Sequence, residues 1–349
     1  MRDLVSTLVD LIDVPSEIGD EGRLCTSLAE RLMSTWGIDG VERMGNNLIV
    51  GKRSQRPLIL LVGHIDTVPA QGQGPAAIEA GRVIGLGASD MKSGLAVMMH
   101  LLEDPSIRLG PYDVIGLFYD KEEGPADDNG LEVVLQRAPW LSEAEFAVVL
   151  EPTDLELQVG CVGTINATVR FEGHAAHSAR PWLGENAITK AGSWLAELHE
   201  RHPESIMIDG LEYKEVISVT TASGGIARNI IPASFEINLN YRFAPDKTLD
   251  EAEARLRDKA APAELIEIVD RAPAGPVPQG NPHFERLARL SGAARTPKQA
   301  WTDVARLAQY GIPAVNYGPG ETAQSHQVAE SVAVANLSVA FDALCRFLS

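Results

Sequence analysis

The sequence predicts an α/β protein, a mixed sheet flanked by helices, into which a smaller ferredoxin-like α+β domain is inserted. Before Gly163, continuous apolar runs alternate with helix-like stretches, which is typical of a sheet buried on both faces. From Gly163 onward apolar and polar residues alternate instead, as in strands with one exposed face. The Pro/Gly-rich segment 272–282 then resembles a linker back to the first domain. We therefore predict a division into 1–162, 163–275 and 276–349.

Two amphipathic helices open the chain. Apolar side chains recur every three or four positions over 4–12 and again over 22–35. Short apolar runs follow and predict strands in the segments NLIVGK, PLILLVGHID, YDVIGLFYDKEEG and AEFAVVLEPT. The stretch MKSGLAVMMHLLED, at 91–104, predicts a helix between the second and third of them. After the linker, PAVNYGPG predicts a strand, and an apolar stripe through Leu337, Phe341 and Leu344 predicts a last helix.

The inserted segment has its own order of elements. Period-two alternation and helical spacing predict strand 163–171, helix 185–200, strand 214–222, strand 233–243, helix 248–259 and strand 264–270. This βαββαβ order is the ferredoxin-like arrangement. Period two leaves Arg242 on the polar face of its strand, where it is available to a ligand carboxylate or to a surface salt bridge.

Composition excludes several classes of protein. The net charge of −18 and the absence of a basic cluster argue against a nucleic-acid partner. No apolar run approaches the roughly 20 residues that span a bilayer, and the first residues do not form a signal-peptide core, so we expect no membrane association. Cys25, Cys161 and Cys345 lie far apart without a CxxC pair, which favours a reducing compartment, and we expect a cytoplasmic protein.

Side chains with N or O donor atoms follow the apolar runs. In open α/β sheets, ligands bind beyond the carboxyl ends of the strands. The residues found there are His64, Asp66, Asp90, Glu122, Glu123, Glu151 and His326. Each is a weak signal alone, because a His or Glu at a strand end is more often a solvated loop residue. Together, and without cysteine, they indicate borderline-to-hard divalent ions, two of which one bridging carboxylate would hold about 3.5 to 4 Å apart.

Several motifs resemble a known superfamily. HIDTVP, GASDMKSG, the EEG after a strand, LEPT and GHAAHSARPWLGENAI resemble the dinuclear zinc amidohydrolases and exopeptidases, over essentially the whole chain. LEPT, TDVARL with YGPG, and the overall length are most similar to the succinyl-diaminopimelate desuccinylases within it. The resemblance implies a zinc-exopeptidase-like catalytic domain. It also implies that the inserted domain is a lid and dimerisation domain, so we expect a homodimer.

The same resemblance implies the metal ligands and their neighbours. One ion would be bound by His64, Asp90 and Glu151, and the other by Asp90, Glu123 and His326. Zn²⁺ is expected, although Co²⁺ or Mn²⁺ would suit the same donors. Glu122 would be the general base, and Asp66 would be a carboxylate that orients His64.

Other residues would act on the substrate. The resemblance implies that His177 stabilises the oxyanion across the dimer, while the alternative is that it packs in a turn. Asn229, Arg242 and, more weakly, Arg180 would contact the substrate, since a guanidinium is a natural partner for a carboxylate.

The implied substrate is a small N-acyl amino acid. Similarity to the desuccinylases implies hydrolysis of N-succinyl-LL-2,6-diaminopimelate to succinate and LL-2,6-diaminopimelate, in lysine biosynthesis. The segment CVGTIN lacks an arginine common in that family, the loop GPGETAQS lacks an asparagine, and Trp301 stands where a small polar residue is common. Acetylornithine deacetylase, another N-acyl-amino-acid deacylase or a dipeptidase therefore remains an alternative. A non-catalytic metal-dependent binding protein is disfavoured, because it would need no base beside its ligands.

Overall fold

The computed structural model describes residues 3–349, which divide into two compact units. Unit 1 contains the chain up to Val159 together with Pro278–Thr296 and Arg306–Ser349, and unit 2 contains Gly160–Val277 and Pro297–Ala305. The predicted domain boundaries differ from this division mainly at 297–305, which we had assigned to the last part of the first domain. That segment belongs to unit 2 because its backbone and side chains bond to it, for example through Val162 N–H to the Lys298 carbonyl at 3.2 Å.

Helices and strands are interspersed along unit 1, and unit 2 has the predicted βαββαβ order with one additional strand after its first helical segment. The helices are α1 Leu4–Ile12, α2 Gly22–Trp36, α3 Ser93–Glu103, α4 Pro105–Arg108, α5 Gly130–Arg137, α6 Ala187–Lys190, α7 Gly192–Glu200, α8 Leu249–Lys259, α9 Pro282–Ser291, α10 Val304–Gln309 and α11 Val334–Leu348. The strands are β1 Val41–Met44, β2 Asn47–Val50, β3 Leu58–His64, β4 Ala77–Glu79, β5 Arg82–Ile84, β6 Asp113–Tyr119, β7 Phe146–Val149, β8 Leu157–Val159, β9 Gly163–Glu172, β10 Glu204–Ile208, β11 Leu211–Gly224, β12 Ser234–Phe243, β13 Leu265–Ala272, β14 Arg295–Pro297, β15 Ala314–Asn316 and β16 Ser331–Ala333.

A large mixed sheet forms the centre of unit 1. Its order is β1-β2-β6-β3-β7-β15-β8-β14, with β6, β3, β7 and β15 parallel to one another. Every residue of β3, β6 and β7 is buried, which explains their apolar runs LILLV, VIGLF and FAVV. Helix α3 packs against α1 and α11, and it is buried all round from Ser93 to Leu102. A small sheet of β16, β5 and β4 lies in the same unit.

Unit 2 is built on an antiparallel sheet of order β10-β11-β12-β9-β13. Alternate residues of β9 and β12, such as Ile165, Val169 and Leu239, form a core with Trp194 of α7 and Leu256 of α8. The other face of these strands is polar, as period-two alternation predicts. The predicted fold class, a mixed helix-flanked sheet with an inserted ferredoxin-like domain, is confirmed.

Some elements differ from the prediction. The helix predicted over 185–200 is two helices, α6 and α7, separated at Ala191. Strand β10 was not predicted, because its residues are half-buried or exposed and show no clear apolar alternation. Helix α9 was also missed, although its start carries a readable signal: the Asn281 side chain caps it and Pro282 is its first residue. None of the helices within residues 3–349 is both long and apolar enough to cross a bilayer.

Candidate metal centre

Parallel strand pairing brings several donor side chains to one edge of the unit 1 sheet. His64 is the last residue of β3, and it lies opposite Tyr119, the last residue of β6. Glu122 and Glu123 follow β6 after a short turn, and Glu151 follows β7. Because β6, β3 and β7 are adjacent and parallel, their carboxyl ends lie side by side.

Two groups of donors share Asp90. The ligand atoms of His64, Asp90 and Glu151 lie within 4.8 Å of one another, and so do those of Asp90, Glu123 and His326. One Asp90 oxygen, Oδ1, is 3.2 Å from His64 Nε2, and the other, Oδ2, is 3.7 Å from His326 Nε2. His64, Glu122 and Glu123 form a further such group. The structure thus brings together the five side chains that the sequence predicts as ligands; their binding of metal stays a prediction.

The chemistry of these donors fits divalent ions. Four of the five side chains are at most 12% exposed, and three of those four are carboxylates; His326, at 54%, is the exposed member. Burial raises the pKa of Glu123, and the neighbouring Asp90 charge adds to the rise against the opposing effect of the two imidazoles. Bound cations would offset the negative charge of carboxylates buried this close together. Donor sets of N and O without sulfur suit Zn²⁺, Co²⁺ or Mn²⁺.

Asp66 organises the backbone of the glutamate pair. This fully buried carboxylate accepts the N–H of Glu122 at 3.1 Å and the N–H of Glu123 at 3.0 Å. It also lies 3.5 Å from His64 Nδ1, which is 3.1 Å from the Asp66 carbonyl oxygen. Since a carbonyl only accepts, Nδ1 carries a proton, and a neutral His64 ring therefore turns the Nε2 lone pair toward Asp90.

The imidazole of His64 and the carboxylate of Asp66 shift each other's pKa. Burial opposes the imidazolium form, but Asp66 and Asp90 together raise the pKa of His64 well above its ordinary value. Burial likewise acts to raise the pKa of Asp66, yet His64 and the two backbone N–H donors lower it overall. An anionic Asp66 beside His64 is therefore favoured.

Glu330 belongs to this centre and was missed by sequence reasoning. It is 1% exposed and accepts backbone N–H groups from Gly87, Ser89 and Asp90. A single acidic residue before a short apolar strand carries no signal for such a role, because its three partners lie far away in the sequence.

His177, Asn229 and Arg180 lie together in unit 2. Ser178 N–H donates to the Asn229 carbonyl at 3.0 Å, and Arg180 N–H donates to the His177 carbonyl at 2.8 Å. All three predicted residues are exposed. Ala179 N–H donates to His177 Nδ1 at 3.1 Å, so a neutral His177 carries its proton on Nε2.

Arg242 is half-buried on β12. Its Nε donates to Asn240 Oδ1 at 2.9 Å, and among residues 3–349 no carboxylate forms a salt bridge with it. Burial lowers the pKa of Arg242, and the charge of Asp270 opposes this.

Known proteins share both the sequence and the fold. The model of "Peptidase family M20/M25/M40" matches residues 60–349. A candidate succinyl-diaminopimelate desuccinylase of Mycobacterium tuberculosis is 38% identical over 353 residues, which cover 99% of this chain and 98% of that protein. The succinyl-diaminopimelate desuccinylase of Corynebacterium glutamicum is 33% identical over 358 residues, covering 97% and 94%. The resemblance indicated by the motifs is confirmed.

Solved structures agree on the fold. The aminopeptidase PepT of Bacillus cereus has a TM-score of 0.79 at 20% identity, covering 99% of this chain and 97% of that one. The Bacillus subtilis protein YXEP, described as a dinuclear metal binding peptidase, has a TM-score of 0.72 at 15% identity, covering 99% and 96%. At these identities the likeness extends to the fold alone.

Proposed function

The chain belongs to peptidase family M20/M25/M40, and from this membership we propose that it is a metal-dependent amide hydrolase acting on N-succinyl-LL-2,6-diaminopimelate. The products would be succinate and LL-2,6-diaminopimelate. The observation that carries the proposal is similarity to two desuccinylase relatives, at 38% and 33% identity, over nearly the whole chain. The gathering of imidazoles and carboxylates at one sheet edge supports it independently.

We assign the two donor groups to two divalent ions, with Asp90 as the bridge. His64, Asp90 and Glu151 would hold one ion, and Asp90, Glu123 and His326 the other. The two Asp90 oxygens face different imidazoles, which supports a bridging role. Zn²⁺ is the expected metal. Two such ions would supply Lewis acidity, which polarises an amide carbonyl and makes water more acidic.

Glu122 is the proposed general base. It would take a proton from the attacking water and deliver it to the leaving amine. The contact of its backbone N–H with Asp66 supports this role, because it fixes the residue beside the donor groups. Asp66 would act through His64 and the glutamate pair, and not on the substrate.

His177 is the proposed oxyanion donor. Its Nε2 proton, fixed by the Ala179 contact at Nδ1, is the one that a developing oxyanion would accept. Asn229, Arg242 and, more weakly, Arg180 would contact the substrate, and the guanidinium groups would pair with its carboxylates. The two arginines are exposed and half-buried, so their positive charge is accessible to a substrate carboxylate.

A homodimer through unit 2 is part of the proposal. Strand β10 pairs only with Leu211–Glu215 of β11, so within residues 3–349 the rest of β11 has an open edge. Trp182 and Ile226 of the same unit are 76% and 88% exposed. Open sheet edges and exposed apolar side chains both favour contact with a second copy. A cytoplasmic location is proposed as well, since Cys25, Cys161 and Cys345 are free thiols.

The test is release of free amine by the purified protein, chelated or reconstituted with Zn²⁺. N-succinyl-LL-diaminopimelate, N-acetylornithine and several dipeptides are the substrates. We expect metal-dependent turnover with strong preference for the succinyl compound, and Glu122→Ala should abolish turnover with metal content unchanged. Preference for acetylornithine or a dipeptide would refute the substrate, and metal-independent turnover would refute the mechanism.

A further inference from the structure

The Asp90 loop is held by one buried carboxylate. Glu330 Oε2 accepts the N–H of Gly87 at 2.7 Å, and Glu330 Oε1 accepts the N–H groups of Ser89 and Asp90, each at 2.8 Å. Hydrogen bonds to a charged acceptor are about twice as strong as neutral ones. Three such bonds, to Gly87, Ser89 and Asp90, restrict the backbone conformation of this loop.

The segment that carries Glu330 also carries His326. Glu330 directly precedes β16, which pairs with β5, and the Gly85 N–H donates to the Glu330 carbonyl at 3.0 Å. The Ser89 hydroxyl donates to the Ser331 carbonyl at 2.9 Å and accepts the Glu321 N–H at 3.0 Å. The loop of Asp90 and the segment of His326 are therefore joined by both backbone and side-chain contacts.

The burial of Glu330 depends on its hydrogen bonds. Its side chain is 1% exposed, and its two oxygens accept all three N–H groups of the Asp90 loop. The side-chain nitrogen of the buried Lys92 donates to the Leu11 and Val14 carbonyls, each at 3.0 Å. A buried carboxylate is costly unless its oxygens are hydrogen-bonded, and here the two acceptor oxygens of Glu330 take all three N–H groups of the loop.

We propose that Glu330 is a positioning residue that holds the backbone of Asp90, so that one Asp90 oxygen faces His64 and the other faces His326. The inference rests on the proposed metal centre. Among residues 3–349, the side chain of Glu330 bonds to the backbone of the Asp90 loop and to neither imidazole, so its proposed action on the ligands runs through that backbone. Removing it should loosen both donor groups, since Asp90 belongs to each.

Glu330→Gln is the discriminating variant. Glutamine has the same shape but only one acceptor oxygen, so at least one loop N–H would face an NH₂ group. The matched control is Glu321→Gln, a carboxylate of the same segment that accepts the Ala333 N–H and pairs with Arg82. Glu330→Asp keeps the charge on a shorter side chain and serves as a second variant if the glutamine protein does not fold.

The measurements are Co²⁺ and Zn²⁺ affinity by calorimetry and the absorption spectrum of the Co²⁺-loaded full chain. We expect Glu330→Gln to weaken metal binding about 10- to 100-fold and to change the Co²⁺ spectrum. Glu330→Asp should weaken binding less, and Glu321→Gln should match the unmodified protein in both readouts. A purely structural role would lower thermal stability without altering the spectrum.

Unchanged affinity and spectrum in a folded Glu330→Gln protein would overturn the proposal. If that protein does not fold, unchanged binding in Glu330→Asp would overturn it. If the unmodified protein itself binds neither Co²⁺ nor Zn²⁺, the proposed metal centre fails, which is a different result. Steady-state kinetics add a further distinction, because a displaced Asp90 should lower kcat more than it raises KM.

Discussion

Asp113, the first residue of β6, is a fully buried carboxylate outside the metal centre. Its two oxygens accept from Ser54 N–H and Oγ, from Arg53 at 2.9 Å and from Arg56 at 2.9 Å. Asp113→Asn would put an amide group among these donors. We expect a loss of about 3 kcal/mol in the free energy of unfolding, measured by denaturant titration of the chelated protein.

The matched control is Glu143→Gln. Glu143 also pairs with Arg53, at 2.9 Å, but its side chain is 63% exposed. An exposed pair contributes about 0 to 1 kcal/mol. Equal losses of unfolding free energy in Asp113→Asn and Glu143→Gln would contradict the role assigned to burial.

The contribution of Asp113 should depend on pH. Burial acts to raise the pKa of Asp113, but Ser54, Arg56 and Arg53 lower it overall. A carboxyl with a lowered folded-state pKa stabilises the fold above its unfolded pKa of about 3.9, and this stabilisation is lost as pH falls through the lower folded value. The stability difference between the unmodified protein and Asp113→Asn should therefore shrink below about pH 4. A stability difference that grows as the pH falls would contradict a lowered folded-state pKa for Asp113.

His177→Ala tests the oxyanion role at the residue scale. If His177 donates only in the transition state, its removal should lower kcat about 10²- to 10³-fold with little change in KM. His174→Ala is the control, because His174 is exposed in the same loop and its contacts are backbone bonds to Glu185. Equal effects of the two substitutions on kcat would argue that the loop merely needs its histidines for structure.

At the scale of elements, α3 and the end of β7 approach closely through Gly94. A Cβ at this position would lie 2.3 Å from the Leu150 carbonyl oxygen and 2.9 Å from the Leu150 Cβ. Leu150 directly precedes Glu151, a predicted ligand. Gly94→Ala should cost about 1 to 3 kcal/mol by overpacking and should also weaken metal binding.

Gly192→Ala is the control for this prediction. Gly192 begins α7, and a Cβ there would meet nothing within 4 Å. Alanine in an open helical position is neutral or stabilises by up to about 1 kcal/mol. Denaturant titrations of both proteins, with metal affinity measured in parallel, check the pair. A neutral Gly94→Ala would mean that the helix can move away from β7 freely.

Elements were predictable where burial dictates the sequence pattern. The strands β3, β6 and β7 are buried on both faces, so their apolar runs are visible without any structure. The mostly exposed β10 gives no such pattern, because only pairing with β11 makes it a strand. The break between α6 and α7 was equally hidden, since helical spacing continues across it.

The site was predictable for a related reason. His64, Glu122, Glu123 and Glu151 stand directly at or after apolar runs, and parallel strands bring such positions to one edge. Glu330 has no comparable signal, because its partners are backbone N–H groups, which exist in every residue and leave no trace in side-chain composition.

At the scale of the whole molecule, the candidate centre joins distant segments of unit 1. Its donors come from β3, the loops after β6 and β7, the Asp90 loop and the segment before β16. A metal ion that binds only the folded arrangement stabilises it by mass action, about 2.7 kcal/mol at a free concentration 100 times the dissociation constant. Chelation should therefore lower the melting temperature, and the loss of stability should be confined to unit 1, which holds the ligands.

Hydrogen exchange can locate this effect. When the chelated protein is loaded with Zn²⁺, we expect slower exchange in the segments that carry or fix the donors. We expect little change across β9, β12 and β13, because the core of unit 2 that they form contains none of the proposed metal ligands. The segments to follow are 64–67, 87–92, 121–124, 151–154 and 320–330. Protection spread evenly over both units would mean that the ions stabilise the molecule by a route other than these ligands. Protection of 87–92 that disappears in Glu330→Gln would tie the local effect to the carboxylate that holds Asp90.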